Sequence, residues 1–81
     1  MEKNQLNKEC NREGYWEHYY PNGRIRCRGN YINGIPNGYW EVYYDNGNLW
    51  YKGNYIINEP VGYWEQYYDN SRLSRKEYYY I

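Results

Sequence analysis

Apolar and polar residues alternate along most of this chain, and the alternation restarts at fixed intervals. Gly38 to Tyr55 reads GYWEVYYDNGNLWYKGNY, Gly14 opens GYWEHYYPNGRIRCRGNY, and Gly62 opens GYWEQYYDNSRLSRKEYY. The three glycines stand 24 residues apart. A fixed period of this size marks a repeat architecture. A period-two alternation rich in Tyr, Trp, Ile and Leu predicts strands. Asn22-Gly23 and Asn46-Gly47 sit between two such runs, and Asn-Gly suits a tight hairpin turn because both residues tolerate positive φ. Asn70-Ser71 is a weaker turn at the same place in the third copy. The expected fold is all-β: one antiparallel meander of three β-hairpin repeats, about six strands, elongated and twisted. The repeats cover 14–37, 38–61 and 62–81. Residues 1–13, MEKNQLNKECNRE, form a polar N-terminal arm or a weak edge strand over Leu6 to Cys10.

The pattern also predicts a register. Two-residue loops at the Asn-Gly pairs set Tyr20 against Ile25, His18 against Cys27, Glu17 against Arg28 and Trp16 against Gly29. In the second copy Tyr44 faces Leu49, Val42 faces Tyr51, Glu41 faces Lys52 and Trp40 faces Gly53. In the third Glu65 faces Lys76. One acid–base pair thus falls opposite in each hairpin, each contributing roughly 0.2–1 kcal/mol. Trp opposite a strand Gly covers it. A three-residue turn with a glycine bulge competes and pairs Tyr43 with Leu49. A tight loop at Asn33-Gly34 joins the hairpins and sets Arg26 against Glu41, Cys27 against Trp40 and Ile25 against Val42. Pro36 and Ile57-Asn58 are the weak points of this scheme.

In this register the sheet has two unlike faces. One carries Trp16, His18, Tyr20, Ile25, Cys27, Tyr31, Trp40, Val42, Tyr44, Leu49, Tyr51, Tyr55, Trp64, Tyr68, Leu73 and Tyr79. The other carries Tyr15, Glu17, Tyr19, Arg24, Arg26, Arg28, Tyr39, Glu41, Tyr43, Trp50 and Lys52. No helical pattern exists to cover the first face, yet a sheet needs a second layer. The expectation is a sheet that coils on itself, dimerises or waits for a partner. Trp16, Tyr20, Trp40, Tyr44, Tyr51, Trp64 and Tyr68 are the candidate partner-binding surface. Tyr19, Arg26, Arg28, Tyr43 and Trp50 form a secondary polar face. Arg75 and Lys76 protect the last edge, while Tyr78 to Ile81 stay sticky.

Composition sharpens the picture. The 81 residues include 15 Tyr, 4 Trp and no Phe, and tyrosine builds half-wet surfaces because its hydroxyl needs a partner. Ten basic and ten acidic residues leave zero formal charge, so no global field favours nucleic acid or an anionic membrane. Arg24, Arg26 and Arg28 beside Tyr15 and Tyr19 are a candidate single-strand platform, disfavoured by the glutamates among them. No apolar run spans a bilayer, and a cytoplasmic protein is the expectation. Cys10 and Cys27 match no metal or redox spacing and read as reduced thiols. His18 has Val42 and Gln66 at the equivalent positions and reads as a packed strand residue. Glu17, Glu41 and Glu65 recur opposite cations, so they read as ion pairs and not as catalytic carboxylates. No enzyme, cofactor or metal is expected.

The residues resemble a known family. Gly38, Trp40, Tyr43, Tyr44, Asn46, Gly47, Leu49, Gly53 and Tyr55 look like the MORN-repeat variant of bacterial antitoxin-component proteins of the YwqK type. The first copy carries the pattern as Gly14, Trp16, Tyr19, Tyr20, Asn22, Gly23, Ile25, Gly29, Tyr31, Asn33 and Gly34. The third departs at Ser71 and Glu77. The resemblance implies an elongated meander of hairpins, with protein binding, toxin neutralisation or lipid contact among the activities of relatives. The resulting expectation is a non-enzymatic protein-binding module. It would act as an antitoxin-like or inhibitor protein that occludes a toxin, nuclease or other effector, and would form a homodimer on its own. The alternative is a ligand-binding repeat module for carbohydrate, nucleotide or lipid headgroup.

Overall fold

The computed structural model describes residues 3–80. Met1, Glu2 and Ile81, the ends of the expected arm and last strand, lie outside the described residues. The described residues form seven strands in one sheet: β1 (Gln5–Leu6), β2 (Arg12–Tyr19), β3 (Ile25–Ile32), β4 (Ile35–Tyr43), β5 (Leu49–Ile56), β6 (Glu59–Tyr67) and β7 (Leu73–Tyr79). Every neighbouring pair is antiparallel and the spatial order is the chain order. The strand beyond the expected six is β1, which pairs with Arg12 and Glu13. It lies at Gln5–Leu6, whereas Cys10 falls in the following turn at φ 65°. Beside it the side-chain amide of Asn4 acts as a surrogate peptide group. It accepts from the Glu17 amide at 2.8 Å and donates to the Glu17 carbonyl at 3.3 Å.

Among the described residues the sheet has no second layer. It measures 41 × 36 × 18 Å with a radius of gyration of 13.5 Å, above the roughly 12 Å of a compact chain of this length. Trp40 is the only buried apolar residue among the described ones, at 6% exposed. The other strand aromatics are half-buried or exposed.

Two kinds of irregularity set the register. At one end of the sheet the turns are three-residue loops. Gly23, Gly47 and Ser71 carry the positive φ of 87°, 94° and 74°. Tyr20 accepts from the Gly23 amide at 2.9 Å and donates through its own amide to the Arg24 carbonyl at 2.8 Å. Asn22, Asn46 and Asn70 serve by hydrogen bonding, accepting from the amides two residues on at 2.9, 2.8 and 3.0 Å. Tyr19 therefore pairs with Ile25 and Tyr43 with Leu49, in place of Tyr20 and Tyr44. One residue later a bulge restores the expected pairs: His18 with Cys27, Glu17 with Arg28, Trp16 with Gly29, and the matching set in β4 and β5. The competing registers each hold on one side of that bulge.

At the other end Asn33-Gly34 makes the expected two-residue turn, with φ of 50° and 80°. Tyr31 pairs with Pro36 as that turn dictates. Beyond Gly29 the register jumps by two residues on β4, where Gly38 sits at φ 95°. Gly14 and Gly62 repeat this left-handed conformation, which glycine alone adopts at no cost. The jump corrects the inter-hairpin pairing: Arg28, not Arg26, faces Glu41; Cys27 faces Val42; Gly29 faces Trp40.

Candidate functional site

The register jump builds the face that carries the tryptophans. Trp40 lies on Gly29 of the preceding hairpin and Trp64 on Gly53, so each indole roofs the joint between hairpins and not the glycine of its own. The Trp40 indole donates to the Asn30 carbonyl at 3.0 Å, and Trp16 donates to Gln5 of β1 at 2.9 Å. Tyr31 meets Trp40 edge-on at 5.0 Å between centroids, and Tyr55 meets Trp64 the same way at 5.0 Å. Such pairs each contribute about 0.5–1.5 kcal/mol beyond burial. At the N-terminal end His18 stacks on Trp16 at 5.7 Å, and its Nε2 lies 3.1 Å from the Tyr31 hydroxyl. The Arg12 guanidinium covers both Trp16 and Tyr31, at 5.3 and 5.6 Å from their ring centres. Burial, then Arg12 and Arg26, lower the His18 pKa. His18 is thus a neutral packing residue at pH 7.

The bulge turns two residues of the expected polar face over to this one. Arg26 lies beside the Cys27 thiol, whose pKa burial pushes up. Trp50 stacks on Tyr44 at 5.1 Å and meets Tyr51 at 5.4 Å. Both are extra residues on the bulged strand, and a bulge re-aims the side chains around it. Tyr20 and Tyr44 tie hairpins together, donating to the Tyr43 and Tyr67 carbonyls at 2.6 and 2.7 Å. Tyr68 has no following hairpin among the described residues and is 56% exposed.

The second face repeats a carboxylate cage that pattern reading missed. Glu17 accepts from the hydroxyls of Tyr15, at 2.8 Å, and Tyr19, and from Lys3 at 2.6 Å. Glu41 accepts from Tyr39 at 2.9 Å, Tyr43 at 2.7 Å and Arg28 at 2.6 Å. Glu65 accepts from Tyr67 at 2.9 Å and pairs with Lys52 at 3.4 Å and Lys76 at 3.9 Å. The signal was Tyr-x-Glu-x-Tyr, which places all three side chains on one strand face. Hydrogen bonds from Lys3, Tyr19 and Tyr15 hold Glu17 down to about 2. Burial opposes the lowering at Glu41, but Tyr43, Arg28 and Tyr39 outweigh it. Burial, and then donation to Glu41, push Tyr39 and Tyr43 up to about 12.

The ion pairs correct two of the expected ones and keep the third, Glu65 with Lys76. Glu17 and Arg28 are register partners, as are Glu41 and Lys52, yet the bonds close to the next hairpin: Arg28 to Glu41 and Lys52 to Glu65. The register jump sets Arg28 and Lys52 each opposite two carboxylates, and that of the following hairpin is nearer. The three arginines of β3 and its turn do not share a face either. Arg24 donates to the Asn46 carbonyl, Arg26 joins the tryptophan face and Arg28 is spent on Glu41. Cys10 and Cys27 are free thiols. Among the described residues no cluster of His, Cys, Asp and Glu has a metal-binding arrangement, and no helix is long and apolar enough to cross a membrane.

A family model described as the MORN repeat variant matches residues 12–33 and 36–56, together more than half of the chain. No curated protein and no solved structure matches it. The matched spans are the first two hairpins, where Trp, Gly and the Asn-Gly turns are all present. The unmatched third is the one with Ser71 and Glu77. With one hairpin after another built on the same Trp-over-Gly joint, the chain belongs to the MORN repeat variant family.

Proposed function

We propose that the chain is a non-enzymatic protein-binding module of three repeats, antitoxin-like or inhibitory, that occludes a partner protein with its tryptophan face. The observation that carries this is the missing second layer: among the described residues Trp40 is the one buried hydrophobic side chain, while Trp50 is 39% exposed and Tyr68 56%. Exposed aromatic strips of this kind mark interaction sites, and Tyr, Trp and Arg are the commonest energetic anchors of interfaces. The working surface is Trp16, Tyr20, Trp40, Tyr44, Tyr51, Trp64 and Tyr68, joined by Trp50 and Arg26. Trp16, Trp40 and Trp64 also hold the hairpins together, so the accessible anchors are Trp50, Tyr51 and Tyr68. The partner is a toxin, nuclease or other effector met in the cytoplasm. Without a partner, two copies pack these faces together as a homodimer.

Affinity capture from the source lysate tests the reading. The expected result is one protein bound in stoichiometric amount and released by Trp50→Glu with Tyr68→Glu, a variant whose circular dichroism is unchanged. Capture that survives this double substitution, or no stoichiometric protein at all, overturns it. Sedimentation of the isolated chain tests the dimer, since a monomer at high concentration excludes it.

A further inference from the structure

The tryptophan face contains a recess at its last hairpin. It lies over β6 and β7, has a volume of about 230 Å³, and is lined by Tyr51, Trp64, Gln66, Arg75, Glu77 and Tyr79. Its origin is positional. Gly29 and Gly53 are each roofed by the tryptophan of the next hairpin. The equivalent residue of the third hairpin is Glu77, and no tryptophan lies over it among the described residues. The space beside Trp64 therefore stays free, and its floor is polar where the inner joints have only backbone.

The lining has two halves. Tyr51 and Tyr79 flank Trp64 at 6.2 and 6.3 Å between ring centres. Gln66, Arg75 and Glu77 supply donors and acceptors beside them. The Arg75 guanidinium is paired with the Glu77 carboxylate, so the recess carries no net charge. The Trp64 indole N–H is buried without a partner, whereas Trp16 and Trp40 donate to backbone carbonyls.

These features select a ligand class. A phosphate needs cationic groups that are not already neutralised. A purely apolar ligand would bury Gln66, Arg75 and Glu77 with no partners of its own. A neutral sugar satisfies both halves, with its C–H faces on the aromatic rings and its hydroxyls donating and accepting at once. We propose that this recess binds a neutral pyranose ring in the corner between the Trp64 and Tyr79 rings, which meet edge-on, with Gln66, Arg75 and Glu77 as the hydroxyl partners. The site shares Tyr51 and Trp64 with the protein-binding surface, but the sugar reading rests on the recess itself and not on that proposal.

The test is a nitrogen–proton correlation spectrum of the full chain, titrated with the methyl pyranosides of glucose, galactose, mannose and N-acetylglucosamine, and with cellobiose. At least one of these sugars should shift the Trp64 indole resonance saturably and leave those of Trp16 and Trp40 in place. A dissociation constant on the order of 1 mM fits a shallow site. Tyr79 and Arg75 are exposed, so Tyr79→Ala and Arg75→Ala should keep the fold by circular dichroism while weakening that sugar about tenfold, one lost contact each. Tyr39→Ala on the opposite face should leave its affinity unchanged. No saturable shift from any of these sugars at about 50 mM, far above that constant, overturns the proposal. So does equal loss in Tyr39→Ala, or binding of inorganic phosphate where the sugars are silent.

Discussion

The indole of Trp40 rests on the backbone of Gly29, across the joint between the first and second hairpins. A methyl group on Gly29 would overlap the ring well inside van der Waals contact. Because Trp40 is the one buried apolar side chain described, this contact is the nearest thing the sheet has to a core. Gly29→Ala should cost about 3 kcal/mol or more through forced repacking, and Trp40→Ala about 3–5 kcal/mol. Gly14→Ala, with open space but φ 72°, should cost only about 1 kcal/mol. Urea denaturation followed by circular dichroism ranks the three.

The tyrosine hydroxyls at the hairpin joints predict a positional asymmetry. Tyr44→Phe removes the bond to the Tyr67 carbonyl, and Tyr20→Phe the bond to Tyr43. Each should cost about 1 kcal/mol. Tyr68→Phe, at the equivalent exposed position, should be neutral within about 0.5 kcal/mol. Thermal melts of the three variants decide this, and equal losses would contradict the joint assignment.

Two turn residues sit in a backbone region that suits neither. Ile57 is at φ 45° and Ser71 at φ 74°, where the earlier copies have Asn33 and Gly47. A residue other than glycine held in the left-handed region costs roughly 1–3 kcal/mol, with asparagine the best tolerated. Ile57→Asn and Ser71→Gly should each stabilise by about 1 kcal/mol, raising Tm by roughly 4–8 °C in a chain of this size. Calorimetry of the single and double variants checks both size and additivity.

The carboxylate cages predict loss of stability at both ends of the pH scale. Glu17, Glu41 and Glu65 have folded pKa values below the ordinary carboxylate value of 4.5, with Glu17 at about 2. Their contribution is complete above the unfolded value and is lost as pH falls from about 4.5 towards 2. Tyr39 and Tyr43 rise from 10 to about 12. Their contribution is complete below pH 10 and is lost as pH rises towards 12. Denaturation midpoints across pH should form a plateau with both shoulders. Glu41→Gln should reduce the acid shoulder, leaving the share of Glu17 and Glu65, and reduce the alkaline one, since both of these tyrosines donate to Glu41.

The 24-residue period, the antiparallel meander and the in-hairpin partners of Trp16, Glu17, Trp40 and Glu41 could all be read along the chain. Each depends on residues that are close in sequence, where alternation and a turn suffice to fix who faces whom. The repeat of Tyr-x-Glu-x-Tyr was equally visible, but its meaning as a cage needed the cation of a neighbouring hairpin. What only the folded sheet decided was the joint between hairpins. Gly38 in the left-handed region shifts β4 by two residues, moving Glu41 from Arg26 to Arg28 and Trp40 onto Gly29. The bulge turns Arg26 and Trp50 to the other face. Neither follows from alternation, because a bulge inserts residues without changing the polar pattern and its location is set by packing across strands. The same holds for the Asn4 amide paired with Glu17: a polar arm has no period, and only the unpaired edge of β2 gives that side chain its place.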